Sequence, residues 1–207
     1  MKLRGLYAIV DTGLLAAAGL EPIAFAKEIL RVRPAALQLR AKNDSDEEII
    51  RLARALAPLC AEQQVPFVLN DRSDLARAAE IDLVHLGQDD AIDLGANLKI
   101  GRSTHSPEEL ARALEQQPAY VAYGPIFPTA SKKNPDPVVG LGGLARAREL
   151  ISKSDFPETP LVAIGGISLE NAAKIAEFAD AGAVIGALIG RDVRARAEAL
   201  HEELGGH

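Results

Sequence analysis

The sequence predicts an α/β fold, a single-domain (β/α)8 barrel, and three observations carry that expectation. Short apolar or β-branched runs alternate with helical patterns from end to end. Eight such runs can be read, and no linker rich in Ser, Pro or Gly divides the 207 residues, so 1–207 reads as one unit. Strands alternating with helices favour a parallel sheet covered by helices, and eight units in this length fit the small end of the closed barrel. A doubly wound sheet is the competing architecture, and it usually needs fewer strands.

The expected strands are Leu6–Val10, Ala36–Leu39, Pro66–Leu69, Leu83–Leu86, Leu98–Gly101, Tyr120–Tyr123, Leu161–Ile164 and Ala183–Ala187. Among the helices, the clearest carries Ile49, Leu52, Ala53, Leu56, Leu59 and Cys60 along one face, and Pro58 is expected to kink or shorten it. Ser106-Pro107-Glu108-Glu109 has the order of a capping box, with Ser at the cap and Glu three residues on. A further helix is expected from Ser168, and the last from about Arg191 with Val193, Ala197, Leu200 and Leu204 inward. The stretch Gln88–Asn97 is too short for a full helix. No repeat of fixed period and no low-complexity segment interrupts the pattern.

Composition narrows the function classes. Hydrophobic residues make up 48% and charged residues 25%, enough apolar material for a sizeable core. With 23 Lys+Arg against 29 Asp+Glu the net charge is −6, which argues against nucleic acid, whose binding rests on phosphate neutralisation. Aromatic residues are only 4% with no Trp, so base-stacking platforms are not expected either. The longest nearly uncharged apolar stretch, Ala181 to Gly190, is half of what a membrane span needs. A cytoplasmic protein is expected, and Cys60, the single cysteine, reads as a small buried hydrophobe.

In such barrels the active site is built from the loops after the strands, and nearly every apolar run here ends in polar residues. Gln38, Arg40 and Lys42 stand two apart, so alternation would aim them together into the barrel mouth. One amide donor and two cations suit a phosphate or pyrophosphate, although Lys42-Asn43-Asp44 also reads as an ordinary turn. Asp71, in Asn70-Asp71-Arg72, and Asp90, in Gln88-Asp89-Asp90, are candidate Mg²⁺ ligands, because that ion takes one or two carboxylates and leaves other positions to water and phosphate. Helix caps or surface ion pairs would use the same residue types. His85 lies within a strand and reads as a hydrogen-bonded core histidine. His105 follows Ser103-Thr104 after the fifth strand, as an acid or base or as a cap for the next helix. The long segment Gly124 to Lys133 carries two hydroxyls and two lysines that suit an oxyanion and a closing loop. Gly165-Gly166-Ile167, with Gly182 and Gly186, would let backbone approach a phosphate. Gly140-Leu141-Gly142-Gly143 lacks the spacing of a dinucleotide fingerprint.

Read in order, these fragments resemble one family over nearly the whole chain. Leu6-Tyr7-Ala8-Ile9, Gln38-Leu39-Arg40-Ala41-Lys42, Asn70-Asp71-Arg72 and His85-Leu86-Gly87-Gln88-Asp89-Asp90 are followed by Ser103-Thr104-His105-Ser106, by Gly124-Pro125-Ile126-Phe127-Pro128-Thr129 with Ser131-Lys132-Lys133, and by Ala163-Ile164-Gly165-Gly166-Ile167. The series resembles the thiamine-phosphate synthases. The resemblance implies a (β/α)8 transferase that joins hydroxymethylpyrimidine pyrophosphate to thiazole phosphate by a dissociative, Mg²⁺-assisted substitution. It also implies roles: Gln38, Arg40, Lys42 and Asn70 on the pyrimidine pyrophosphate, Asp71 and Asp90 on Mg²⁺, Ser103 and Lys132 on the leaving pyrophosphate. Thr129, Ser131, Gly166 and the backbone at Gly186 would take the thiazole phosphate. The catalytic group would be Arg40, Lys42, Ser103 and Lys132. Two residues depart from the family pattern: Gly186 stands where Ser or Thr is frequent, and Arg102 replaces a small apolar residue.

Two other readings remain: a thiazole tautomerase of the same fold, which would need His105 but no Mg²⁺ site, and a non-catalytic paralogue that binds thiamine intermediates and regulates partners. The expected partners are small-molecule substrates, with no nucleic acid and no membrane, and with a homo-oligomer left open.

Overall fold

A computed structural model describes residues 1–88, 90, 98–129 and 136–206. Eight parallel strands follow one another around a closed barrel in sequence order, β1 through β8, with β8 pairing back onto β1. They are β1 (Gly5–Asp11), β2 (Ala36–Arg40), β3 (Phe67–Asn70), β4 (Leu83–Leu86), β5 (Lys99–Thr104), β6 (Tyr120–Tyr123), β7 (Leu161–Ile164) and β8 (Ala181–Val184). The described helices are α1 (Thr12–Ala17), α2 (Pro22–Leu30), α3 (Asp46–Glu62), α4 (Ser73–Ala79), α5 (Pro107–Glu115), α6 (Gly140–Lys153), α7 (Ala172–Ala176) and α8 (Val193–Glu203). The expectation for Gln88–Asn97 falls almost wholly outside the described residues.

Alternation along the strands divides the apolar side chains into two cores. Tyr7, Ile9, Val68, Tyr120, Val162 and Ala183 pack inside the barrel. Leu37, Leu39, Leu52, Leu56, Leu110 and Leu200 are among those filling the layer between strands and helices. Every strand is covered on its outer face, which explains why these runs read as apolar rather than alternating.

Several boundaries differ from the sequence expectation. β5 continues through Ser103 and Thr104, because Thr104 Oγ1 donates to Ala122 O at 2.9 Å and its backbone pairs with Tyr123. The two hydroxyl residues are therefore in the strand, not after it. β8 begins and ends earlier than expected: Ala181 and Gly182 pair with Val162 and Ala163, and Gly186–Leu188 forms a 3₁₀ turn that contains Ala187. α3 continues past Pro58 and is not shortened there; Pro58 lies on the exposed face, while Leu56 and Cys60 on either side stay buried. Ser168 does not open α7. Asn171 Oδ1 accepts from Ser168 N at 2.9 Å and Asn171 Nδ2 donates to Gly166 O at 3.0 Å, so residues 168–171 form a turn ahead of the helix. α8 starts at Val193 because Asp192 caps it, accepting from Ala195 N at 2.9 Å.

Candidate active site

The strand ends open on a cavity of about 810 Å³. It collects Gln38 and Arg40 from β2, Lys42 just beyond it, Asn70 and Asp71 at the end of β3, Asp90 after β4 and Ser103 from β5. Thr129, Gly166 and Gly186 line the opposite wall. Ser131 and Lys132, the remaining expected site residues, lie outside the described residues.

The cations do not stand alone. Arg40 forms a close ion pair with Asp11, the last residue of β1, whose other oxygen accepts from Leu14 N at 2.9 Å and so caps α1. Lys42 Nζ is 3.3 Å from Asp71 Oδ2, with its side chain half exposed. Asp11 is not among the residues the sequence singles out. Its pairing with Arg40 follows from register, since Asp11 sits directly opposite Arg40 across the β1–β2 ladder.

Asp71 occupies a left-handed backbone conformation, φ 63°, with its N–H donated to His85 O at 2.9 Å. Asp and Asn visit that region more readily than other non-glycine residues, and such conformations cluster where a side chain must be aimed. Asp90 is fixed differently: its Oδ2 accepts from Gly87 N at 2.6 Å. Both carboxylates face one cavity, and among the described residues no third Asp, Glu, His or Cys joins them in a metal-binding group. That donor set suits Mg²⁺, which leaves most positions to water and substrate phosphate, and does not suit a full protein cage.

Arg102 points out of the barrel. Buried at 7% exposure, it donates Nε to Gln116 Oε1 at 3.0 Å and a terminal nitrogen to Gly87 O at 2.6 Å, outside the lining of the cavity. The departure at 102 thus bears on the loop that carries Asp90. At Gly186 an added Cβ would meet open space, so nothing steric demands glycine there. Gly166 is different: at φ 63° its Cβ would come 2.5 Å from Pro128 O, so the approach of the segment after β6 requires its absence.

His105 does not cap α5. Ser106 does, accepting from Glu109 N at 3.2 Å, and the Glu109 carboxylate reaches one residue further back to the His105 N–H at 2.7 Å. The His105 ring donates Nδ1–H to Gly124 O at 2.6 Å and lies 3.5 Å from Asp136 through Nε2, tying β5 to the segment after β6.

Beneath the mouth lies a polar floor that the strand-end reasoning did not anticipate. Gln38, Tyr7, Tyr120, His85 and Ser103 are joined by hydrogen bonds across the barrel interior. Burial pushes the His85 pKa down to about 4; nearby Arg102 and His105 act in the same direction and Asp90 opposes them. Burial also raises the Tyr7 and Tyr120 phenols well above their ordinary range. Gly101 makes room for this floor, since a Cβ there would lie 2.1 Å from the Tyr120 ring. The sequence signal was present in the inward alternation of Tyr7, His85 and Tyr120, but which of them meet depends on barrel closure.

Residues 6–189 match the family model described as thiamine monophosphate synthase. A thiamine-phosphate synthase of Koribacter versatilis is 45% identical over 205 residues, covering 91% of this chain and 90% of the relative. One from Chlorobium phaeovibrioides is 39% identical over 193 residues, covering 89% and 90%. The solved structure of a thiamine phosphate pyrophosphorylase from Pyrococcus furiosus superposes with a TM-score of 0.82 at 32% identity, covering 97% of this chain and 95% of that one.

Proposed function

The chain belongs to the thiamine monophosphate synthase family and is a transferase that forms thiamine phosphate; from that premise we propose how the barrel mouth carries out the reaction. The observation that carries the proposal is the convergence of two amides, two cations, two carboxylates and a hydroxyl from four successive strand ends on a single cavity. Hydroxymethylpyrimidine pyrophosphate occupies the side built by β2 to β5, with Gln38, Arg40, Lys42 and Asn70 around it. The thiazole phosphate takes the side of Thr129, Gly166 and Gly186, where bare backbone can approach an anion closely.

The bond from the pyrimidine methylene carbon to pyrophosphate breaks, with its electron pair leaving on pyrophosphate. The thiazole nitrogen lone pair then forms the new C–N bond, and no proton need be moved. Charge therefore gathers on the leaving group, and Arg40, Lys42 and Ser103 stabilise it with dipoles and charges already in place. Asp11 holds Arg40 in position beforehand, so little reorganisation accompanies the step. Asp71 and Asp90 would hold Mg²⁺, whose charge when bound offsets that of the departing pyrophosphate. Lys132 and Ser131 complete the proposed set on the segment after β6. Holding both substrates in one cavity adds a proximity benefit that reaches about 7–11 kcal/mol in well-aligned cases. A cytoplasmic setting suits this reading, because the only cysteine, Cys60, is buried and free.

The test is to incubate the protein with both substrates and follow thiamine phosphate and pyrophosphate with and without Mg²⁺. Stoichiometric, Mg²⁺-dependent formation of both products is expected. Asp90→Asn, which can still accept from Gly87 N, is expected to lower kcat about 100-fold or more. Turnover indifferent to metal removal and to that substitution would overturn the metal assignment. Absence of product with wild-type protein, together with thiazole isomerisation, would favour the tautomerase.

A further inference from the structure

The polar floor has a direction, and proton counting reveals it. Gln38 Nε2 donates to Tyr7 Oη at 2.9 Å, Tyr7 Oη lies 2.6 Å from Tyr120 Oη, Tyr120 Oη lies 2.9 Å from His85 Nδ1, and His85 Nε2 lies 2.9 Å from Ser103 Oγ. Tyr7 and Tyr120 are essentially inaccessible to solvent, at 1% and 0% exposure. Each phenol has one hydrogen to place. If Ser103 donated to His85, Nδ1–H would donate to Tyr120 and Tyr120 to Tyr7. The Tyr7 hydrogen would then find no acceptor among the described residues, because the Gln38 group that faces it is the amide nitrogen. A buried donor left without an acceptor loses its hydration with nothing in return. In the opposite order every hydrogen has an acceptor: Gln38 to Tyr7, Tyr7 to Tyr120, Tyr120 to Nδ1, and Nε2–H to Ser103.

We propose that this chain is polarised from Gln38 to Ser103, fixing His85 as the neutral Nε2–H tautomer and leaving the Ser103 hydroxyl hydrogen aimed into the cavity as a donor to the leaving pyrophosphate. His85, Tyr120 and Tyr7 are thereby positioning residues: they act through Ser103, determining that it donates. The raised phenol pKa values are consistent with Tyr7 and Tyr120 staying neutral around pH 7. Cooperative polarisation along such a chain strengthens its last donor. This inference rests on the reading that Ser103 meets the pyrophosphate.

The experiment is long-range ¹H–¹⁵N correlation NMR on protein labelled with ¹⁵N-histidine, the His85 signals being identified by their loss in His85→Gln. The expected result is an Nε2–H tautomer for His85; an Nδ1–H tautomer in the wild-type protein overturns the polarity. The kinetic arm uses Tyr120→Phe, which removes the donor to Nδ1. Its kcat is expected to fall about tenfold with both KM values within about twofold, and Ser103→Ala is expected to cost less in that background than in the wild type. A Tyr120→Phe protein with lower Tm and unchanged kcat would overturn the positioning role. Should that variant fail to fold, His85→Gln, whose amide N–H reaches toward Ser103 as Nε2–H does, is expected to keep most of the kcat that His85→Leu loses. Loss in both alike would overturn it. Failure of the underlying reading looks different: Ser103→Ala with wild-type kcat removes Ser103 from the pyrophosphate whatever the tautomer of His85.

Discussion

Asp71 combines backbone strain with a side chain proposed to hold Mg²⁺. Its left-handed conformation, φ 63°, is one that Asn shares at little cost while Ala does not. Asp71→Asn is therefore expected to keep stability within about 0.5 kcal/mol by urea denaturation, since its ion pair with half-exposed Lys42 contributes little. Its kcat is expected to fall about 100-fold, with a raised Mg²⁺ requirement, because the negative charge is gone. Equal losses of stability and turnover would instead mark Asp71 as a turn residue. The Asp-Arg pair was visible in sequence as a candidate ligand, but its neighbour could not be read there. Arg72 turns away from the cavity to pair with Asp46 at the start of α3 and Asp74 in α4, both at 2.7 Å.

At the scale of elements, α3 shows how a strand end is held in place. Ser45 Oγ accepts from Glu48 N at 3.3 Å, and Asp46, Glu47 and Glu48 place negative charge at the positive end of the helix. Ser45→Ala is expected to cost about 1 kcal/mol in denaturation while kcat stays unchanged, because Ser45 does not line the cavity. A fall in kcat without loss of stability would show that the cap shapes the loop bearing Lys42. The apolar stripe of α3 was legible because its period is local. The passage through Pro58 was not, because the cost of a missing N–H on the exposed face is offset by burial of Leu52, Leu56 and Cys60 against the barrel.

At the scale of the whole molecule, closure places a histidine at the centre of the barrel, and that sets part of its acid sensitivity. Burial lowers the His85 pKa from 6.5 to about 4, with Arg102 and His105 acting in the same direction and Asp90 opposing them. Between those values the unfolded chain takes up a proton that the folded chain refuses, so stability rises with pH across this window. The contribution is complete above about pH 6.5 and is lost as pH falls through about 4, amounting to at most about 3 kcal/mol. His85→Gln has no such group. Its Tm is expected to fall less than that of the wild type between pH 7 and pH 4.5 in parallel thermal scans. Identical slopes would mean that His85 is already protonated in the folded state.

Local chemistry was enough to determine the strand count, the parallel barrel, the capped helices and most of the residues at the strand ends. Apolar runs, caps and the polar residues that follow a strand are all set within a few positions of one another. The limits of β5 and β8, the late start of α7 and the Asp11–Arg40 pair were decided by neighbours in space, through ladder register and an Asn side chain. The floor of Gln38, Tyr7, Tyr120, His85 and Ser103 belongs wholly to the tertiary structure. Its members are drawn from β1, β2, β4, β5 and β6, and only closing the sheet into a barrel turns five separate inward positions into one hydrogen-bonded chain.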